Sequence, residues 1–418
     1  MKQSLQQVVA PLAVGLGLAI LAPSFAQITA GSSAAATAPV ATIPGMPPVP
    51  DPANLYSETT AGKLSPAIAG DLPRVYVPNL QSNDVYVIDP AKFEVVDKFR
   101  VGLNPQHVVP SWDLRTLWVA NNAENTKRGS LTPLDPTTGR PGKPIAVDDP
   151  YNMYFSPDGK SAIVVAEAMK RLDFRDPKTM QLQYSIDVPR CAGINHADFA
   201  IDGRFAIFTC EFTGTVAKID LVERRVLGYT QVIQPGRPTK TVKGPDGKDE
   251  VICTTWKGMP QDIRASPDGK LFFVADMMAD GVHVVDGETF RQVGFIETGK
   301  GTHGLYPSRD GKKLYVANRG SNKIHGSPKG KGSVSVIDFA TRKVVANWPV
   351  PGGGSPDMGN VSADGKWLWL SGRYDNVVYA FDTGSGDVRI IPVGTEPHGL
   401  TVWPQPGRYS LGHTGNLR

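Results

Sequence analysis

One pattern recurs along the chain: an apolar, strand-like run ends in aspartate at a turn and leads into a second run. It occurs as VYVIDPAKFEVV, LTPLDPTTGRP, LDFRDPKTMQL, AKIDLVERRVL, VHVVDGETFRQV, VSVIDFATRKVV and VYAFDTGSGDVR. The turn aspartates are Asp89, Asp135, Asp176, Asp220, Asp286, Asp338 and Asp382, separated by 46, 41, 44, 66, 52 and 44 residues. A second marker, SPDGK and its variants, puts Asp-Gly hairpins at Asp158-Gly159, Asp202-Gly203, Asp268-Gly269, Asp310-Gly311 and Asp364-Gly365. Asp-Gly suits a two-residue turn with positive φ at both central positions. Apolar strands such as LFFVAD and LYVAN follow these hairpins. Four short strands in roughly 40 to 45 residues is the period of a propeller blade. The pattern predicts an all-β fold, a seven-bladed β-propeller of four-stranded antiparallel blades. RVYVPN, DVYVID and EVVDKFRV at the start lack an inner strand, and HGLTVWP near the C-terminus supplies one. Their pairing would close the ring between the N- and C-terminal strands and remove open sheet edges. The tail RYSLGHTGN also has the pattern of a second strand and competes with RVYVPN for that place.

Composition agrees. With 44 Gly and 36 Pro in 418 residues, long helices do not survive, and 20% charged residues is too few for a charged disordered chain. A net charge of +4 with dispersed basic residues gives no electrostatic footprint for nucleic acid. Three cysteines exclude a disulfide-dense scaffold. Residues 1–26 read as a secretory signal peptide: Lys2, an apolar stretch from Val8 to Leu21, and a small-x-small site at Ser24-Phe25-Ala26. The Ala/Pro/Ser/Thr-rich stretch 27–72 reads as a disordered linker, and 73–418 as the propeller. A periplasmic or secreted protein with no integral membrane segment in its mature form is expected. A closed ring completes its own core, so a monomer is expected as well.

The segments YVPNLQSNDVYVIDP, SPDGKLFFVAD, DGKKLYVANRGSN and VSVIDFATRKVV resemble the YVTN family of seven-bladed propellers over about residues 74–405. That superfamily includes the haem-binding domain of periplasmic nitrite reductases and the heavy chains of quinoprotein amine dehydrogenases. The resemblance implies fold more strongly than function, since one scaffold hosts enzymes and plain binding proteins. No Cys-x-x-Cys-His motif is present, so any electron-transfer role would need a separate periplasmic partner.

In a propeller the innermost strands begin at one mouth of the central channel, and the loops after the second strands open on the same face. Counting back seven residues from each hairpin glycine, or to the equivalent position, gives His107, Asn152, His196, Asp262, Gly304, Met358 and Gly399. One residue earlier lie Gln106, Tyr151, Asn195, Gln261, His303, Asp357 and His398. Four of seven histidines thus gather at one level, with Asp262 and Asp357 adding carboxylates. Alternation along a strand would set His107 and His303 on opposite faces. The second-strand loops add Glu167, Glu211 and Asp276 as metal ligands or bases, and Arg319 and Arg373 as anion holders. Cys210 falls opposite Asn195 within reach of His196, so His107, His196, Cys210 and Glu211 form a candidate copper or zinc set. The alternative for the thiols is a disulfide, with Cys191 and Cys253 on the same face. Two insertions reach that face: one between Val232 and Met259, carrying a hairpin around Pro245-Asp246-Gly247, and NRGSNKIHGSPKGKGS.

These observations fit an exported propeller that binds a small ligand, a metal or a partner protein at a His-rich channel mouth. The alternatives are a periplasmic oxidoreductase or carrier of non-covalent haem, with His196 or His107 as axial ligand and Arg319 or Arg373 on the propionates, and a metal-assisted hydrolase or lyase. No G-x-S-x-G, Walker or H-E-x-x-H motif supports other common chemistries.

Overall fold

The computed structural model describes Met1 and residues 39–418, with positions 125 and 246 excepted. Beyond Met1, the expected signal peptide and the linker residues up to 38 lie outside the described residues, as does Asp246 of the predicted insertion hairpin. The described residues form seven blades, each an antiparallel sheet. Their inner strands are Thr401–Trp403 in blade 1 and then Pro105–Pro110, Pro150–Phe155, Ile194–Phe199, Pro260–Ala265, Thr302–Pro307 and Pro356–Val361 in blades 2 to 7. Gly142 and Pro144 interrupt the outer strand of blade 2, which is split into Arg140–Pro141 and Ile145–Asp148. Apolar faces of neighbouring blades pack together: Phe272, Val274 and Val284 of blade 5 meet Ile207 of blade 4 and Leu305 and Val316 of blade 6. Among the described residues no helix is long and apolar enough to cross a membrane.

The Asp-Gly hairpins differ in detail from the expected two-residue turn. Only the glycine has positive φ, as at Gly159 (69°) and Gly269 (69°). Each turn is a longer, self-bonded loop: Ser156 Oγ donates to Asp158 Oδ1 at 2.7 Å, and the Ser156 N–H bonds back to Ser161 O at 2.9 Å. The side chains supply the turn contacts that a tighter backbone would have made itself.

Ring closure uses HGLTVWP. Arg74, Val75 and Tyr76 pair with Trp403, Val402 and Thr401. The competing tail turns into the channel instead. The Ser410 N–H bonds to Trp112 O at 3.1 Å, Gly412 bridges to Tyr154, Asn416 Nδ2 donates to Ala197 O at 2.9 Å, and Arg418 Nη2 meets Asp198 Oδ1 at 2.7 Å. The linker reading is corrected from residue 39 onward. Ile43 N–H bonds to Asp202 O and Leu55 N–H to Pro267 O, while Tyr56 Oη donates to Ala265 O at 2.6 Å. Leu55 and Tyr56 are buried with Phe272 and Phe339, and Ile68 with Leu117 and Trp403. The segment has few apolar residues, but they are spaced to dock one hairpin after another on the face opposite the predicted mouth.

Each inner strand turns a free edge to the channel, and one inward N–H on each finds an acceptor on a neighbouring blade or the tail. Asp198 Oδ2 accepts from Ala265 N at 2.8 Å, Asp262 Oδ2 from Leu305 N at 2.9 Å and Asn360 Oδ1 from Val402 N at 2.9 Å. The hydroxyls of Tyr154 and Tyr306 accept from Ala197 N and Gly359 N, both at 2.9 Å. Gly399 O accepts from Val108 N at 2.9 Å, and Leu411 O of the tail from Phe155 N at 3.0 Å. Asp198 carries two such duties, toward blade 5 and toward Arg418. Asp198→Ala is therefore expected to lower unfolding free energy by about 3 to 5 kcal/mol, the cost of leaving a buried cation unpaired. Asp198→Asn, which keeps an acceptor for Ala265, is expected to cost less. Urea unfolding of the two variants checks this, and equal losses would contradict the dual role.

Candidate metal centre in the channel

The inner strands do not start as regular ladders. In blade 2, Pro105 pairs with Asn121 and His107 with Ala120, so Gln106 is an extra residue. In blade 4, Ile194 pairs with Cys210 and Ala197 with Phe208, leaving Asn195 and His196 opposite Thr209 alone. Blades 5, 6 and 7 repeat this shift. A bulge breaks strict alternation and re-aims side chains. Adjacent residues such as Asn195 and His196 thereby both serve the channel, one at the mouth and one deeper.

At the deeper level His107 and His196 meet, with ring centroids 5.4 Å apart. A third histidine joins them from the tail: His413 lies 4.0 Å from His107 and 4.8 Å from His196, centroid to centroid. Ligand atoms of all three lie within 4.8 Å of one another, and exposure is 0%, 0% and 1%. Burial, reinforced by the neighbouring imidazoles, holds all three pKa values well below the ordinary histidine value, so the rings are neutral. His196 Nδ1 is 3.1 Å from Asn152 Nδ2, which donates to it. The other five ring nitrogens, both on His107, both on His413 and Nε2 of His196, have no hydrogen-bond partner among the described residues. Gly399 makes room for this packing, since a Cβ there would fall 1.8 Å from His107 Nδ1.

Beside the trio stands a second group built on Asp357. Its Oδ1 is 2.8 Å from Arg319 Nε and 2.9 Å from His303 Nδ1, and its Oδ2 is 2.7 Å from His398 Nδ1. Burial alone would raise this carboxyl, but Arg319 and the two histidines outweigh it and hold Asp357 well below the usual carboxylate range. Burial and then Arg319 push His303 down to about 4, and burial and then Arg373 push His398 down to about 3. Tyr151 links the two groups: its hydroxyl is 3.4 Å from His398 Nε2, and its ring packs 5.4 Å from that of His107.

Other sequence-predicted residues have different work. Cys210 is joined to Cys191 in a disulfide with a Cα–Cα distance of 4.9 Å, so it has no free thiolate for metal, and Cys253, the other partner open to Cys191 by sequence, remains free. Glu211 accepts from Asn195 Nδ2 at 3.1 Å at the mouth and does not join the unpartnered nitrogens. Asp262 is the blade 5 to blade 6 acceptor; burial raises its pKa to about 6, with Arg264 opposing. Asp276 accepts the N–H groups of Met259, Met278 and Ala279 and contacts His283 Nε2 at 3.2 Å, which makes it a turn organiser. Arg373 pairs with Glu396 at 3.0 Å. Of the predicted metal set, the structure brings together His107 and His196 and supplies His413 in place of Cys210 and Glu211. His413 follows the last repeat, where spacing carries no information; its only cue was a histidine between glycines in LGHTGN.

The insertion after Asn318 reaches the mouth, and the earlier one folds on itself. Lys240–Lys243 and Asp249–Ile252 pair as a hairpin, and Tyr374 Oη, 3.2 Å from Arg319 Nη1, donates to Ile324 O at 2.5 Å. A porphyrin does not fit among these residues: the three imidazoles stack within 5.4 Å of one another and the tail fills the channel beside them.

The neutral state of His303 has a consequence for stability. As pH falls, the unfolded chain takes up a proton near the ordinary value of about 6.5, while the folded site resists until about 4. The stability this group contributes is thus present above about pH 6.5 and is lost progressively between there and about pH 4. One such group gives a slope of about 1.4 kcal/mol per pH unit. Urea unfolding at pH 7, 6 and 5 is expected to show falling stability, with a shallower slope in His303→Gln. A flat profile would mean the ring is not held neutral.

A family described as YNCE-like beta-propeller matches residues 251–406. The "Uncharacterized protein YncE" of Salmonella typhi is 25% identical over 310 residues, covering 69% of this chain and 74% of that protein. Among solved structures, Kuenenia stuttgartiensis hydrazine synthase aligns with a TM-score of 0.52 at 19% identity, over 70% of this chain and 87% of that one. The dihydro-heme d1 dehydrogenase NirN in complex with DHE aligns with a TM-score of 0.53 at 14% identity, over 79% of this chain and 75% of that one. At these identities the structural likeness is one of fold. The chain is a seven-bladed β-propeller similar to the YncE-like propellers.

Proposed function

We propose that this chain is an exported β-propeller that holds a transition-metal ion, copper or zinc, on His107, His196 and His413. The observation that carries the reading is the set of five ring nitrogens, on three buried neutral imidazoles, that no group among the described residues satisfies. A buried polar atom left without a partner costs about 1 to 3 kcal/mol, and several in one spot call for a common partner. Neutral imidazole is the form that binds metal, and it suits zinc and copper. Contraction of the ligand atoms from their spread of 4.8 Å would bring them to bonding distance of a single ion, about 2.0 to 2.1 Å for zinc. Exposure of 1% or less favours retention of the ion over turnover of a bulky substrate. Export is supported by the signal-like residues 1–26 and by the Cys191–Cys210 disulfide, which suits an oxidising compartment. A small molecule or protein partner, including an electron-transfer protein, would approach at the mouth.

Metal analysis of the purified full chain, reconstituted with copper or zinc and desalted, tests this. One ion per chain is expected in the wild type and under a tenth of that in His413→Ala. Circular dichroism shows whether the variant is folded. Saturation at a hundredfold excess over the dissociation constant is expected to add about 2.7 kcal/mol of stability, lost in the variant. Equal metal content in both proteins, or none in either, would overturn the reading.

A further inference from the structure

The two ends of the channel are not equivalent. The far end is filled by the tail, with Asn416 bonded to Ala197 O and Arg418 to Asp198, and the Tyr56 ring lies 5.7 Å from the Arg418 guanidinium. An ion that reaches the histidines while the tail is seated comes from the mouth. There the first residue after the second strand is Glu167 in blade 3 and Glu211 in blade 4, and Arg319 in blade 6 and Arg373 in blade 7. Charge is therefore divided across the ring: carboxyls on two adjacent blades, guanidiniums on two others. The arginines are occupied, Arg319 by Asp357 and Arg373 by Glu396.

On the carboxyl side, two buried amide oxygens have no partner among the described residues. Asn195, 0% exposed, donates its Nδ2 to Glu211, which leaves Oδ1 unpartnered in the same cluster. Gln106, 2% exposed, donates its Nε2 to Glu124 at 3.1 Å and leaves Oε1 unpartnered. Unsatisfied acceptors beside carboxyls are the groups a cation coordinates. Tyr151, at the same register level as Gln106 and Asn195, packs its ring 5.4 Å from that of His107 and so joins this level to the imidazoles.

We propose that Glu167 and Glu211, with the amide oxygens of Asn195 and Gln106, form an oxygen-lined relay through which the metal ion enters the histidine centre. The inference rests on the reading of His107, His196 and His413 as that centre. Hard oxygen donors hold a borderline metal less firmly than imidazole does, so the ion is drawn inward after it has shed water at the mouth. Burial raises the pKa of both carboxyls, and the Glu211 carboxyl raises Glu167 further, so protons held there can be exchanged for a cation. An incoming divalent ion replaces them, the protons leave to solvent, and charge is balanced.

The experiment is stopped-flow mixing of the metal-free full chain with Co²⁺, followed by the visible absorption of the imidazole-bound ion. Wild type is expected to load quickly. Glu167→Gln/Glu211→Gln is expected to load about tenfold more slowly, because an amide has no proton to exchange for the ion and supplies no charged oxygen on the entry path. It should still reach the wild-type final absorbance, which also shows that it is folded. Loading of the double variant at the wild-type rate would overturn the relay while the histidine centre stands. A wild type with no cobalt spectrum, or one whose spectrum persists in His413→Ala, would sink the centre itself and the relay with it.

Discussion

Seven inner strands each face the channel with an edge that no further strand can pair. Everything at the centre of this molecule follows from that constraint, because a buried N–H without an acceptor is costly. The solution differs by blade: carboxylates at Asp198 and Asp262, phenols at Tyr154 and Tyr306, an amide at Asn360, backbone carbonyls at Gly399 and Leu411. Ring closure by Thr401–Trp403 is one case of the same rule, since Val402 has its ladder to Val75 on one side and Asn360 on the other.

This accounting separates two kinds of polar residue that look alike along the strands. Asp262 and Asp198 are occupied by the backbone of the next blade, and Asp357 by Arg319 and two histidines. His107, His196 and His413 hold nitrogens for which the protein offers no partner. In an interior where every strand edge has been provided for, such a residue of unmet bonding marks where something other than protein belongs. The apolar packing between blades makes the scaffold stiff enough to keep these rings facing one another.

The blade count, the closing strand and the face that carries the histidines were legible in the sequence because they follow from the spacing of turns and from period-two patterning. Side-chain identity at a register position was less informative. Asp262 and His196 occupy equivalent positions, yet one serves an N–H of the next strand and the other faces two imidazoles; no periodicity distinguishes them. Alternation sets His107 apart from His303, and the two do stand in different groups, but it gives no sign that Asn195 and His196 both serve the channel, because the bulge that frees both is invisible to an alternation rule. Cys210 looked like a ligand by level alone, but Cys191, in the loop preceding that inner strand, lies at disulfide distance. The segment 39–72 has the composition of a linker and still docks, since the hairpin faces beneath it offer backbone carbonyls to a chain with no strand pattern of its own.

The tail shows how the edge constraint and the candidate centre are connected. Between blades 2 and 3 no side chain accepts the Phe155 N–H; the tail does so through Leu411 O. Residue 412 then bridges to Tyr154, with φ of 129° and Tyr154 Cα only 2.7 Å from where a Cβ would stand, so glycine is required there. The next residue is His413, delivered between His107 and His196 by two contacts that satisfy the sheet. A segment outside the repeat thus completes the ring's hydrogen bonding and, in the same step, brings the third imidazole into place. The position of that imidazole is fixed by backbone bonds on its N-terminal side and by Asn416 and Arg418 on the other, which is the preorganisation a metal site requires of a terminus that would otherwise fray.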